Sequence, residues 1–364
     1  MRKKLTSFSG TKKFLKKKII KKKKFNLDTL TRTLLASVII ISTFFISPIV
    51  IDFTKKTPFF SKDFENNSKN DLKKLLEKKD LKPDNSKKQS FLFGDILMFD
   101  DKIIESVRLS ATTIEELFKS TNYTLEDVRK NKLVKPISLT LLPNEIKKIE
   151  NTKKRKDLFI QIILPLVIKE NNNIKLDRKK LFHILNKSKN TKNEKTWLNS
   201  KFKQYGVANK DLSILKIRMD EVPVSMAIAQ AAKETGWGTS RFAQEGNALF
   251  GQWTWSGEGI KPLEADDNST HKVMKFKVLQ ASVRAYQRNL NTHSSYKGFR
   301  IARAELRDDE KKLDSMILSE YLDKYAETGK KYVRVLQQII KQNNLTDFDD
   351  AMLLPLSIDL ESLI

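Results

Sequence analysis

Residues Leu34–Ile51, LLASVIIISTFFISPIVI, form a run of eighteen positions without a charge. No other feature narrows the possible folds so far, because an apolar stretch of this length needs lipid or a core around it. As a helix it measures about 27 Å, close to the roughly 30 Å hydrocarbon thickness of a bilayer. The preceding residues 1–33 hold thirteen Lys and Arg against one acid, Asp28, a net charge of +12. Basic residues beside a span stay on the cytoplasmic side and meet anionic lipid heads. We therefore expect a basic cytoplasmic tail over 1–33, an uncleaved transmembrane signal-anchor over 34–53, and the remainder on the periplasmic, extracytoplasmic side of the inner membrane. A cleavable signal fits less well, since the basic region is extended and no A-x-A site follows. The alternative use of the lysine run, a nucleic-acid arm, yields to the adjoining apolar run, so no nucleic-acid partner is expected.

Residues 54–90 are polar, with Phe59, Phe60, Phe64, Leu75 and Leu76 as the few apolar anchors. They read as a flexible tether giving reach away from the membrane. The chain has no cysteine, which excludes disulfide staples and thiol chemistry. Its three histidines, His183, His271 and His293, lie far apart and form no HExxH pattern. No metal site and no cofactor are expected.

The most organised segment is Val222–Trp255, VPVSMAIAQAAKETGWGTSRFAQEGNALFGQWTW. Pro223 suits the first turn of a helix. Met226, Ala227, Gln230, Ala231 and Glu234 then recur at helical spacing, and Gly236 supplies a left-handed stop. Glu234 thus falls in the last turn, where the helix dipole disfavours a negative charge. With Trp237 as an apolar wall, burial acts in the same direction. A carboxyl with a raised pKa is what a general acid needs near neutral pH; a solvated charge at a helix end is the competing reading.

The stretch AQAAKETGWGTSRFAQEGNALFGQW resembles the active-site segment of bacterial Bax-type, glucosaminidase-like proteins, grouped with peptidoglycan-cleaving β-N-acetylglucosaminidases. The pattern A-x-x-E-[ST]-G-W-G-x-S-x-[FY]-A followed by N-x-L-F-G falls on Ala231, Glu234, Thr235, Gly236, Trp237, Gly238, Ser240, Phe242 and Ala243, then Asn247, Leu249, Phe250 and Gly251. Ala248 stands where an Asn usually precedes Leu-Phe-Gly. NTHSSY at Asn291–Tyr296 resembles a further family element, with Ser294 replacing the usual Pro, and YAETGKKYV at Tyr325–Val333 another. The resemblance covers roughly Ile149–Leu353. It implies that Glu234 is the catalytic acid, that Tyr296 lies near it, and that Trp237, Asn247, Phe250 and Trp253 are substrate-binding candidates.

Elsewhere the sequence predicts short helices opening at Thr113 with Glu116 and at Thr124 with Asp127. It also predicts a short strand or extended segment at Ile137–Leu142, and helices at Lys156–Ile168, kinked by Pro165, and at Lys175–Leu185. The ten-residue run Phe159–Ile168 is too short for a bilayer and reads as a core helix. Helices are further predicted at Trp197–Tyr205, Asp211–Met219, Gln280–Leu290, Leu313–Tyr325 and Lys330–Asn343. Trp253 and Trp255 alternate around Thr254, placing both indoles on one face of an extended segment. They serve either packing or a platform for sugar rings. With Thr270–Val278 as the second strand, the insertion reads as a small β-hairpin lobe. The expected fold is mainly α, a lysozyme-like helical domain with that lobe, preceded by one transmembrane helix. The domains are a helical N-terminal extension over 91–205 and a catalytic domain over 206–353.

Glycoside hydrolysis ordinarily uses two carboxyl groups. The second remains open among Glu258, Glu264, Asp266, Asp267, a water oriented by Tyr296, and the 2-acetamido group of the substrate. The function that follows is a membrane-anchored peptidoglycan hydrolase of N-acetylglucosaminidase type, acting on glycan strands. A lytic transglycosylase of related fold and a non-catalytic wall-binding protein are the alternatives.

Overall fold

Two buried helices lie at the centre of the described residues, and their sequences explain why. In a computed structural model, which describes residues 92–96, 98–100, 106–254, 259–262 and 272–355, the chain is mainly helical. The expected anchor, the tether, Trp255, Glu258, Glu264, Asp266 and Asp267 lie outside the described residues. No described helix is long and apolar enough to cross a membrane.

Helical residues at 92–96 and 98–100 precede α1 (Ala111–Ser120), α2 (Leu125–Asn131) and the two-residue strand β1 (Leu133–Val134). A 3-10 turn at Asn144–Lys148 leads into α3 (Thr152–Leu185), followed by α4 (Lys192–Gln204) and α5 (Leu212–Arg218). Next come α6 (Val224–Thr235) and α7 (Arg241–Gly246). A lobe of β2 (Trp253–Thr254), β3 (Gly259–Ile260) and β4 (Lys272–Met274) intervenes before α8 (Leu279–Thr292). Then follow α9 (Lys297–Asp308), α10 (Ser315–Ser319), α11 (Lys330–Gln342) and β5 (Met352–Leu353).

The first half of α3, from Leu158 to Ile168, is apolar nearly all round and buried, the pattern of a helix with neighbours on every side. Against it packs α6, whose Ala227, Ala229, Ala231 and Ala232 allow close backbone approach. Only Lys233 and Glu234 of α6 escape full burial. Residues on both sides of position 206 contribute to one apolar core, including Phe118, Tyr123, Phe159, Ile163, Phe250, Tyr286 and Phe348. A second cluster joins Phe93 and Ile96 to Phe276 beneath the lobe, and a third fills the space between the end of α3, α4 and α5.

Two expected helices at 156–168 and 175–185 are one continuous helix of 34 residues, with Pro165 inside it. Proline removes an N–H and strands the carbonyl four residues earlier, here that of Gln161. Tyr123 Oη donates to that carbonyl at 3.1 Å, and Gln161 Nε2 returns a bond to the Tyr123 carbonyl at 2.7 Å. Residues 169–174, between the two expected helices, are helical too, and Asn171 is buried and used: its Nδ2 donates to the Val222 carbonyl and its Oδ1 accepts from Val222 N–H.

Other expectations shift by a few residues. The cap of α1 is Ser110, whose Oγ accepts from Thr113 N–H; Thr113 itself lies inside the helix. Thr124 caps α2 as expected. Residues 137–142 form no strand, because their backbone is engaged elsewhere: the Thr140 carbonyl accepts from Leu279 N–H and the Leu142 carbonyl from Arg108. The lobe is a three-stranded antiparallel sheet in the order β2–β4–β3, so the expected hairpin gains a strand at Gly259–Ile260.

Asp349 caps the N-terminal end of α6, accepting from Ser225 N–H at 2.8 Å and Ser225 Oγ at 2.7 Å. Burial nevertheless pushes its carboxyl up to about 6, with Asp350 and Asp314 adding to the rise. A folded-state pKa above the unfolded value means that the native state holds a proton the unfolded chain releases. The unfolding free energy should therefore fall as pH rises from about 4 to about 6. Urea melts across that range should show this slope flattened in Asp349→Asn; an unchanged slope assigns it to other groups.

Candidate active site

Thr235 ends α6, and Gly236 adopts the left-handed conformation that stops it, so Glu234 sits in the last turn as expected. The chain then takes three successive positive φ values at Gly236, Trp237 and Gly238 (57°, 62° and 85°). Gly238 has two reasons to lack a side chain: that φ, and a Cβ position 3.0 Å from Phe159. Thr235 stitches the turn, donating to the Ala231 carbonyl and accepting from Gly238 N–H. Most of the T-G-W-G-x-S pattern is therefore backbone engineering that aims one carboxyl.

That carboxyl faces a nest of tyrosines. Tyr332 of α11 donates to Glu234 Oε1 at 2.9 Å. Tyr325 stacks on Tyr332 with ring centroids 5.5 Å apart, and Tyr296 lies 5.9 Å from Tyr325. Behind them Tyr286 stacks on Phe250 at 3.9 Å. Gln230, one turn before Glu234 on the same helix, accepts from Tyr286 Oη at 2.6 Å and donates to Tyr332 Oη at 3.2 Å. On the other side Oε2 faces Gly251, where a Cβ would stand only 3.4 Å away.

Burial raises the Glu234 pKa, while the Tyr332 hydrogen bond and nearby Lys233 pull it down. Burial and the Glu234 charge both raise the Tyr296 hydroxyl, which places Tyr296 within electrostatic range of the carboxyl. The arrangement offers a partly buried carboxyl able to carry a proton, in apolar and phenolic surroundings, with one oxygen tied and one left to a reacting group. Among the described residues no group of three His, Cys, Asp or Glu is arranged to hold a metal.

The structure brings Glu234, Tyr296 and Phe250 together, the last through its carbonyl oxygen, which accepts from Tyr325 Oη at 2.8 Å. Phe250 itself is buried, stacked on Tyr286 as part of the floor. The indole of Trp237 meets Phe159 edge-on at 5.9 Å and lies under Lys156 Nζ, and tyrosines surround the carboxyl. Asn247 is buried in the left-handed conformation that ends α7, donating to the carbonyls of Phe276 and Lys277 to fasten the lobe. Trp253 begins β2 and is 43% exposed. Sequence reasoning passed over Gln230, Tyr286, Tyr325 and Tyr332 as functional residues. The signals were present in the four-residue step from Gln230 to Glu234 and in the paired tyrosines of YAETGKKYV.

Residues 214–345 match the family described as mannosyl-glycoprotein endo-beta-N-acetylglucosaminidase, the glucosaminidase domain. The chain is also 29% identical over 208 residues to Protein bax of Escherichia coli (strain K12), across 55% of this chain and 73% of that protein. The chain is thus similar to Bax-type, glucosaminidase-like proteins, as the active-site segment indicated. No solved structure matches it.

Proposed function

We propose that the protein is a membrane-anchored hydrolase that cleaves β-1,4 bonds of peptidoglycan glycan strands, as an N-acetylglucosaminidase, with Glu234 as general acid. One observation carries this: a carboxyl with raised pKa, held by a tyrosine at one oxygen and open to the bare face of Gly251 at the other. A glycosidase domain over the same residues supports the substrate class. The reaction needs protonation of a leaving oxygen, and a partly buried carboxyl whose pKa is raised suits that role. A lysozyme-like catalytic domain on a membrane tether suits a substrate lying beyond the bilayer, and the +12 segment ahead of 34–51 supports that topology.

Purified sacculi incubated with the protein should release fragments bearing reducing N-acetylglucosamine ends, read by mass spectrometry. Anhydro ends would mark a lytic transglycosylase instead, and binding without release a wall-binding protein. Protease added to osmotically opened cells should remove the domain from the membrane; protection of the domain in such cells would refute the topology.

A further inference from the structure

The hydrogen bonds around Glu234 have a direction, and the direction is set three residues deep. A glutamine amide can face either way, so its orientation has to be argued from its partners. Between Tyr286 Oη and the Gln230 amide the separation is 2.6 Å, in the range of O–H···O bonds and short for N–H···O. Between the amide and Tyr332 Oη it is 3.2 Å, within the N–H···O range and long for O–H···O. The carbonyl of Gln230 therefore faces Tyr286 and its NH2 faces Tyr332.

With its oxygen already accepting from Gln230, Tyr332 turns its own proton to Glu234 Oε1 at 2.9 Å. Were the amide reversed, Tyr332 would donate to Gln230, and Glu234 would have to give its proton to Tyr332. Building on the reading of Glu234 as the acid, we infer that Gln230 and Tyr332 are positioning residues that keep the Glu234 proton on Oε2, the oxygen beside Gly251. Tyr286 anchors the series, and its ring is fixed by stacking on Phe250.

The groups facing the carboxyl are few. Lys233 comes from its own helix, Tyr332 from α11, and Tyr325 and Tyr296 from the turns packed beside it. All three of these tyrosines, and Tyr286, are raised by burial and stay protonated across the working range, so the relay keeps its direction there. Tyr332 stabilises the ionised form of Glu234, so removing it raises the pKa. An acid with a higher pKa keeps its proton to higher pH, and the basic limb of the activity profile moves up.

The test uses the full chain and soluble glycan-strand fragments, comparing Tyr332→Phe, Gln230→Met and the double variant. Each single change should lower kcat several-fold with KM unchanged and move the basic limb of kcat to higher pH. The double variant should be no slower than Tyr332→Phe alone, because Gln230 acts through Tyr332. Losses that multiply in the double variant, or a basic limb that stays in place in both singles, would overturn the inference. If Gln230→Met does not fold, Tyr286→Phe serves in its place: it leaves the ring stack and removes only the donor that orients Gln230. The same shift is expected from it, and an unmoved limb again counts against the inference. Glu234→Gln separates the two levels of argument. Full activity in Glu234→Gln removes the acid and this inference together, whereas an inactive Glu234→Gln with an unmoved limb in Tyr332→Phe removes the inference alone.

Discussion

Glu234→Gln should lower sacculus digestion by at least about a hundredfold, the contribution expected of a general acid. The amide keeps the size of the side chain and can still accept the Tyr332 hydrogen bond at Oε1. What it lacks is the transferable proton on the oxygen facing Gly251. The fold should not suffer. Burial holds the Glu234 carboxyl above its ordinary pKa, so a neutral replacement relieves a strain between pH 4 and neutrality. Thermal melts should therefore show the variant as stable as the parent or slightly more so at neutral pH. Digestion at the parental rate would transfer the acid's role to another carboxylate or make the protein a binder.

The largest effect on stability should come from Arg303, far from the chemistry in role. Its side chain is fully buried in α9, and burial brings its guanidinium down to about 10. It donates to the carbonyls of Ile217, Asp220 and Glu221 and to Asn291 Oδ1, tying the end of α5 to α8 and α9. Asp220, also buried, is held in its charged form by Arg303, Arg178 and Arg307 against the cost of its own burial. Arg303→Met keeps much of the volume but leaves those acceptors unsatisfied and weakens the compensation of Asp220. The expected cost is about 3–5 kcal/mol, as for a buried pair broken on one side. Urea denaturation measures it, and a loss below about 1 kcal/mol would show that water or Arg307 takes over these acceptors.

Much of the site was legible because it is local. Glu234, its helix end and the glycine turn lie within a few residues, and helix spacing with a left-handed stop fixes where the carboxyl emerges. Tyr332 lies 98 positions away and Tyr286 52, and no periodicity relates them to Glu234. Only the packing of α11 and α8 on α6 does so. The contact between Trp237 and Phe159 of α3 was not legible for a similar reason: it joins residues far apart in the chain, after three successive positive φ values.

The fold followed the same division. Pro223 and Gly236 bracket α6 through their own backbone preferences, so that helix was readable. The continuity of α3 across 169–174 was not, because Asn171 is held there by the backbone of Val222, 51 positions downstream. Of the two readings of 137–142, the short strand does not form, because the carbonyls of Thr140 and Leu142 accept from long-range donors, Leu279 N–H and Arg108.

The Asp349 cap also sets an order of events. The helix bearing Glu234 receives its N-terminal hydrogen-bond partner from residues that follow α11, and β5 in that same segment runs parallel to β1, with Leu133 paired to Met352. A chain made from its N-terminus thus exposes Glu234 well before the parts that steady it exist. Contacts so distant in sequence also form slowly. The surroundings of Glu234 are therefore completed late in biosynthesis, after nearly all of the described domain has been made.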